Sequence, residues 1–230
     1  MHLPDENPRP FNSRERRKAN LFSTCAVLGF VGVFAAIITD LIAAAVVDGY
    51  SIIQQSISSL AAGSYAWIQD GGLYLLSIGT VALAVGLARW RYDEGRLLAG
   101  ALSLVLIGID IAVIAYFNEY AGQQNQGANI HINAVYALGI LFTACAMLIG
   151  YSLRGVARNW AAFSAMMGAL WILTAPFFFI VPSAWFGLYE RGLALILVCW
   201  IGGMCWLLQR RAMDIRRKIS MREVVAHEAR

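Results

Sequence analysis

The sequence predicts an all-α membrane protein, a polytopic bundle of six transmembrane helices with both termini in the cytoplasm. Hydrophobic residues make up 59% of the 230-residue chain and charged residues only 14%, whereas soluble domains carry roughly 25% charged residues. The mean hydropathy is +0.61. A water-soluble protein with so few charges would leave most of its surface apolar, so this composition is typical of a chain that lies in a lipid bilayer.

Six apolar runs are long enough to cross a membrane, since about 20 helical residues span a hydrocarbon core of about 30 Å. Lipid offers no hydrogen-bond partner to the backbone, which favours helices over open strands. The runs cover residues 21–47, 68–88, 97–117, 130–153, 160–181 and 192–208. They predict one transmembrane domain over residues 20–208, between a basic cytoplasmic tail at 1–19 and a second one at 209–230.

The basic residues predict the orientation of the bundle. With the N-terminus in the cytoplasm, 17 of the 18 Lys and Arg residues lie on the cytoplasmic side, and Arg191 alone lies on the other. The positive-inside rule therefore predicts a multi-pass protein of the plasma membrane (the inner membrane of a bacterium), with both ends inside. The net charge of +4 follows from this topology and does not indicate a nucleic-acid partner.

Three segments on the predicted outer face are poor in charge and rich in hydrogen-bonding side chains, at 50–70, 118–129 and 182–191. We expect residues 51–63 of the first to fold over the mouth of the bundle as a short, partly helical lid. Its apolar residues recur every three to five positions, so one side of the lid would rest on the helix ends. The apolar residues are Ile52, Ile53, Ile57 and Leu60, and the serines expected to face the pocket and contact His131 or Glu190 are Ser56, Ser58 and Ser59. Alternatively, these serines only cap turns or helices.

Ionisable groups at membrane depth are costly and usually face the bundle interior. All of them here fall in the predicted outer half, which indicates an outward-facing polar pocket. Asp110 and Arg191 are expected to form a buried pair, and Asp70 shares one helix face with Tyr74 and Ser77. In the alternative interpretation Asp40 and Asp70 lie at the lipid headgroups and His131 caps a helix end. The predicted pocket residues are Asp40, Asp70, Asp110, His131, Glu190 and Arg191.

The same region contains residue types that perform acyl transfer, namely Ser58 as nucleophile with His131 and Asp110. This trio rests on composition and carries little specificity. One membrane histidine is too few for a bis-histidine haem, and a zinc site normally takes three protein ligands. All four cysteines lie in apolar runs without a C-x-x-C pattern. No cofactor and no metal are therefore expected.

The segments "ISSLAAG" (57–63), "HINAVYALGILF" (131–142) and "FGLYERGLALILVCW" (186–200) resemble the DUF998 family, six-helix membrane proteins of bacteria and archaea without an established function. That family is in turn remotely similar to the Frag1/DRAM/Sfk1 type of membrane protein. The resemblance covers about residues 20–208. It marks as family positions Ile57, Ser58, Leu60, His131, Glu190 and Arg191.

Three functions fit these observations. The first is binding or handling of a membrane lipid or other amphiphile in the polar pocket. The second is a non-catalytic accessory or scaffold role with other membrane protein subunits as partners, which pairs of small residues four apart would favour. The third is an intramembrane Ser/His/Asp hydrolase. The small pairs are Ala82/Gly86, Gly139/Thr143, Ala146/Gly150 and Ser164/Gly168, and they also suit packing within one chain.

Overall fold

The computed structural model describes residues 11–90, 94–120 and 123–228. In these ranges the chain forms six α-helices, each with a stretch long and apolar enough to cross a membrane, so the predicted all-α class with six membrane-spanning helices is confirmed. Arg9, Arg91 and Arg230, which the orientation prediction used, lie outside the described residues. The helices are α1 (Phe11–Val46), α2 (Ala66–Ala88), α3 (Glu94–Tyr116), α4 (Gln126–Leu153), α5 (Arg158–Thr174) and α6 (Phe186–Glu228).

The predicted tails continue two of these helices. α1 has 36 residues and α6 has 43, so at 1.5 Å per residue they are roughly 54 Å and 64 Å long. Beyond the apolar part they are tied side by side, because Arg16 donates to Glu223 at 2.6 Å and Arg222 lies 3.6 Å from Glu15. The two ends of the described chain therefore lie at the same end of the bundle.

We call the end of the bundle with segments 47–65, 117–120, 123–125 and 175–185 the loop end, and the end with both ends of the described chain the tail end. Among the described residues, four short 3₁₀ turns at the loop end flank the helices, at Ser58–Ala61, Asn118–Tyr120, Ala175–Phe179 and Ser183–Trp185. The segment predicted as a loop at 182–191 is in fact mostly helical, because α6 already begins at Phe186.

Helices that follow one another in the chain pack as neighbours, and α1 also packs along α6. α1 and α2 approach closely because glycines line their contact. A Cβ at Gly32 would lie 2.6 Å from the Leu75 carbonyl oxygen, and one at Gly79 would lie 2.7 Å from the Leu28 carbonyl oxygen. These distances are too short for a side chain, so both positions require glycine.

The small-residue pairs serve packing within the chain. A Cβ at Gly150 in α4 would lie 3.2 Å from the Ser164 Cβ, and one at Gly168 in α5 would lie 3.2 Å from the Ala146 Cβ. A Cβ at Gly86 in α2 would lie 3.1 Å from the Cys25 Cβ in α1. Three of the four pairs are thus occupied by intramolecular contacts, so they give no support to a partner subunit.

The apolar core draws on all six helices, and an aromatic cluster within it joins α4, α5 and α6. Phe142 packs edge-on against Trp171 and Trp200, with ring centroids 4.9 Å and 5.6 Å away. The Trp200 indole N–H donates to the Ser164 hydroxyl at 2.8 Å, which donates to the Ala146 carbonyl at 2.8 Å. Because buried polar groups require partners, this relay ties the three helices together toward the tail end.

Candidate functional site

A cavity of about 860 Å³ lies in the loop-end half of the bundle. All six helices contribute to its wall, and most of the wall is apolar. Its polar residues are concentrated toward the loop end. The apolar wall includes Ile37 of α1, Leu76 of α2, Ile111 of α3, Ile140 of α4, Trp171 of α5 and Leu195 of α6.

The cavity reaches the side of the bundle near the seam between α5 and α6. These helices touch toward the tail end through Trp200 and Ser164 and at the loop end, where the Tyr189 hydroxyl donates to the Thr174 carbonyl at 2.6 Å. Between these contacts, Ile172 and Leu195 line the cavity and are also exposed on the bundle surface. The cavity is therefore open toward the region that lipid chains would occupy.

Arg191 is the centre of the polar end. Its Nε and Nη2 donate to the two oxygens of Asp40 at 2.9 Å each, a bidentate pair with both side chains about 15% exposed. Nη2 also donates to the Tyr50 hydroxyl at 2.8 Å, and Nη1 donates to the carbonyls of Ile52 and Gln55 at 3.0 and 3.1 Å and of Gly187 at 3.2 Å. One guanidinium therefore joins α1, α6 and the segment between α1 and α2.

The predicted pair of Arg191 with Asp110 does not form. Asp40 takes that place because α1 packs along α6, whereas the sequence could not show which helices are neighbours. Asp110 is half-buried on α3, and its Oδ2 has no hydrogen-bond partner among the described residues. Asp110 is also absent from the lining of the cavity, so it is not part of the candidate site.

Residues 47–65 form the lid, a structured segment that rests on the start of α6. Its turn begins at Gly49, whose φ of 72° favours glycine. The Ile57 N–H donates to Glu190 Oε2 at 2.7 Å, and the Leu188 N–H donates to the Ile53 carbonyl at 3.0 Å. The first N–H groups of a helix have no partner within it, so the lid pairs one such group of α6.

The apolar side of the lid differs from the prediction. Leu60 is buried, but Ile52 and Ile53 are 42% and 47% exposed. Their backbone carbonyls face α6 and accept from Arg191 and Leu188, so their side chains point away from the bundle. The backbone of the lid, more than its isoleucines, therefore attaches it to the helix ends.

The lid serines have separate roles. Ser56 and Ser59 cap the turn, since the Ser59 N–H donates to the Ser56 hydroxyl at 3.1 Å and the Ser59 hydroxyl donates to the Ser56 carbonyl at 2.6 Å. Ser58 lines the cavity, and its hydroxyl lies 3.2 Å from His131 Nε2, with both residues buried. No side chain in the described part of the chain forms a hydrogen bond with His131 Nδ1. Hence Asp110 does not complete the predicted trio, and a Ser–His pair remains.

The three polar residues of α2 that the sequence placed on one helix face have separate surroundings in the structure. Asp70 accepts from the Asn118 side-chain amide at 3.2 Å. Tyr74 is exposed, and the Ser77 hydroxyl donates to the Gly108 carbonyl of α3 at 2.6 Å. Asp70, Tyr74 and Ser77 therefore do not form one polar face toward the cavity.

Three residues of the polar end were missed by the sequence interpretation: Tyr50, Gln69 and Asn118. Gln69 and Asn118 line the cavity and are each 1% exposed. Burial raises the pKa of the Tyr50 hydroxyl above its usual value, so at neutral pH the hydroxyl stays protonated and donates to the carbonyls of Gln55 and Ser56. Gln69 could have been identified from the sequence, because a polar side chain at membrane depth in an apolar helix usually faces the bundle interior.

The described residues contain no group of three or more His, Cys, Asp or Glu side chains placed to hold a metal ion. Cys25, Cys145 and Cys205 are buried and Cys199 is exposed, all as free thiols.

The family model described as "Protein of unknown function (DUF998)" matches residues 30–207, which include the lid, α2 to α5 and parts of α1 and α6. No curated protein and no solved structure matches the chain.

Proposed function

We propose that this protein, which belongs to the DUF998 family, is an integral membrane protein that binds a lipid or other amphiphile in the cavity. The observation that carries the proposal is the division of the cavity into an apolar wall and a polar end. Ligand pockets commonly measure about 300–1,000 Å³ and place a few polar groups among apolar ones. The polar head would lie near Ser58, Gln69 and Glu190, and the chain along Ile140 and Trp171.

The side opening supports entry from the bilayer. An apolar chain that passes between α5 and α6 stays in contact with lipid or apolar side chains throughout, so it need not cross water. A route through the aqueous phase would first move the chain from lipid into water, at a cost of about 0.8 kcal/mol for each methylene group. The lid covers the loop end, so the lateral route is the one that requires least rearrangement.

Filling the cavity is expected to remove a co-purifying amphiphile. Ala194 of α6 lines the cavity, and Ala194→Phe places a ring in the space that the chain would occupy. Native mass spectrometry of protein extracted under mild conditions should show a bound small-molecule mass in the parent and an at least tenfold lower occupancy in Ala194→Phe. A loss of about 1.4 kcal/mol in binding free energy is enough for a tenfold change.

Cys199→Phe is the matched control. Cys199 lies on the same helix, is exposed and does not line the cavity, so this variant should retain the mass. Equal occupancy in the parent and in Ala194→Phe, or the absence of any bound mass from the parent, would reject the proposal. Stoichiometric partner chains in place of a ligand would instead favour an accessory subunit.

We further propose that the lid faces the outside of the plasma membrane and that both chain ends lie in the cytoplasm. The basis is the 17 to 1 division of the basic residues. In a Cys199→Ser background, an impermeant thiol reagent applied to intact cells should label a cysteine placed at Ser64 or Gln124 and should not label one placed at Gly155. All three positions are exposed. Labelling at Gly155 alone would show the opposite orientation.

A further inference from the structure

We infer that the cavity selects an amphiphile whose head donates hydrogen bonds and carries no negative charge, as hydroxyl and ammonium heads do, and that it disfavours a phosphate head. The inference rests on the proposed function and concerns the same cavity. It follows from which hydrogen-bonding atoms at the polar end are already used by the protein and which remain.

The guanidinium that lines the cavity already uses its N–H donors in hydrogen bonds within the protein. Arg191 is the one Lys or Arg among the described residues that line the cavity. A guanidinium has five N–H donors, and those of Arg191 point at both oxygens of Asp40, the Tyr50 hydroxyl and the carbonyls of the lid and of Gly187. A phosphate would have to displace these partners to reach the guanidinium. Arg191 therefore serves as a structural cation and is not a free anion-binding group.

The atoms that remain are acceptors. Gln69 Oε1 and Asn118 Oδ1 are buried and have no hydrogen-bond partner among the described residues, although both side chains line the cavity. The orientation of the Asn118 amide is fixed, because its nitrogen donates to the Asp70 carboxylate at 3.2 Å, and reversal would bring two oxygens together. Buried acceptors left unpaired are unfavourable, so a ligand that donates hydrogen bonds to them would be stabilised.

The charges agree with this selection. Asp40 neutralises Arg191 through a bidentate pair. Glu190 also lines the cavity, and the one hydrogen bond recorded for it is from the Ile57 N–H to Oε2. The polar end thus offers two carboxyl groups and one cation that is already paired, so an anionic head would find no free positive charge in a site of low dielectric. An alcohol or ammonium hydrogen would instead meet Glu190 and the two amide oxygens.

Three amphiphiles with one chain length and different heads test the inference. The protein is placed in phosphatidylcholine nanodiscs, and dodecyl glucoside, dodecylammonium or dodecyl phosphate is added. The readout is the shift in Tm of the parent minus that of Ala194→Phe, which removes effects of the additive on the bilayer. A ligand that binds the folded state raises Tm, and we expect a difference of roughly 5 °C at saturation for the glucoside or the ammonium compound and none for the phosphate.

Variants of similar side-chain volume test which residues favour the hydrogen-bond-donating heads. Gln69→Met and Asn118→Leu remove the unpaired acceptors with little change in volume, and each should reduce the difference between the donor heads and the phosphate head. Should one of them fail to fold, the other still gives the comparison. A shift with the glucoside alone identifies a hydroxyl head, one with the ammonium compound alone identifies an amine head, and a shift with both supports donor selection in general.

Two results would overturn the inference. An equal or larger shift with dodecyl phosphate that Ala194→Phe abolishes would show that the cavity binds amphiphiles without the proposed selection, so the proposed function would stand and the inference would fail. No shift with any of the three, together with no bound mass in native mass spectrometry, would reject both. Retained selection in both Gln69→Met and Asn118→Leu would also contradict the assignment of the acceptors.

Discussion

Arg191→Gln is expected to lower the free energy of unfolding by about 3–5 kcal/mol, because removal of one partner leaves the mostly buried Asp40 carboxylate without its counter-ion. The change also leaves the Ile52 and Gln55 carbonyls of the lid without a donor. For a chain of this size the loss corresponds to a Tm lower by roughly 10 °C. Thermal unfolding in nanodiscs, followed by near-ultraviolet circular dichroism, measures it.

A double-mutant cycle tests whether the pair is the cause. Asp40→Asn alone should also destabilise, since it leaves a buried guanidinium, and the variant with both changes should lose less than the sum of the two single variants. The cycle of Asp110→Asn with Arg191→Gln should be additive, because no hydrogen bond joins these residues. Additive losses in the Asp40 cycle would contradict the assigned pair.

The surface pair at the tail end is the matched control. Arg222 lies 3.6 Å from Glu15, and the two side chains are 66% and 38% exposed. Exposed pairs contribute little because water screens them, so Arg222→Gln should change the stability by less than about 0.5 kcal/mol. A loss as large as that of Arg191→Gln would show that removal of any arginine destabilises the protein.

The helices of this fold could be predicted because each crosses a medium that admits few residue types. Apolar runs that end near Val46, Ala88 and Leu153 are visible in the sequence, and the structure ends helices there. The starts and extensions were harder to predict. α6 begins at Phe186 and continues to Glu228 through charged residues, outside the membrane, where hydropathy carries no signal.

The candidate site was predictable in its residue types and not in its pairings. Ser58, His131, Glu190 and Arg191 stood out as polar groups among apolar ones, and the structure gathers them at the loop end. The partner of Arg191 depends on which helices are neighbours, and that is a property of the folded bundle. The lid isoleucines were misjudged because the backbone carbonyls, which the sequence does not distinguish, attach the lid to α6.

Gly187→Val is expected to detach the lid from α6. A Cβ at Gly187 would collide with the Gln55 carbonyl oxygen and would lie 2.7 Å from the Ile52 carbonyl oxygen. Both atoms belong to the lid backbone, so no flexible side chain can move aside. Displacement of the lid would break the hydrogen bonds from Leu188 to Ile53, from Ile57 to Glu190 and from Arg191 to the lid carbonyls.

Loss of these bonds should be measurable as faster hydrogen exchange at residues 52–61. Four hydrogen bonds at about 1 kcal/mol each would raise the open population of the lid by roughly 700-fold, since 1.4 kcal/mol corresponds to tenfold. The effect should stay local, because the Phe142 and Trp200 core lies toward the tail end. Slow exchange around Phe142 and Trp200 would show that the lid has detached while the bundle remains folded.

Gly192→Val is the control because it makes the same substitution in the same helix. Gly192 is exposed, and nothing lies within 4 Å of the position of its Cβ, so this variant makes the same change in helix propensity as Gly187→Val without the collision. Exchange at residues 52–61 should remain slow in it. Equal exchange in Gly187→Val and the parent would contradict the contact between the lid and α6, because a valine that fits beneath the lid requires the carbonyls of Ile52 and Gln55 to lie elsewhere.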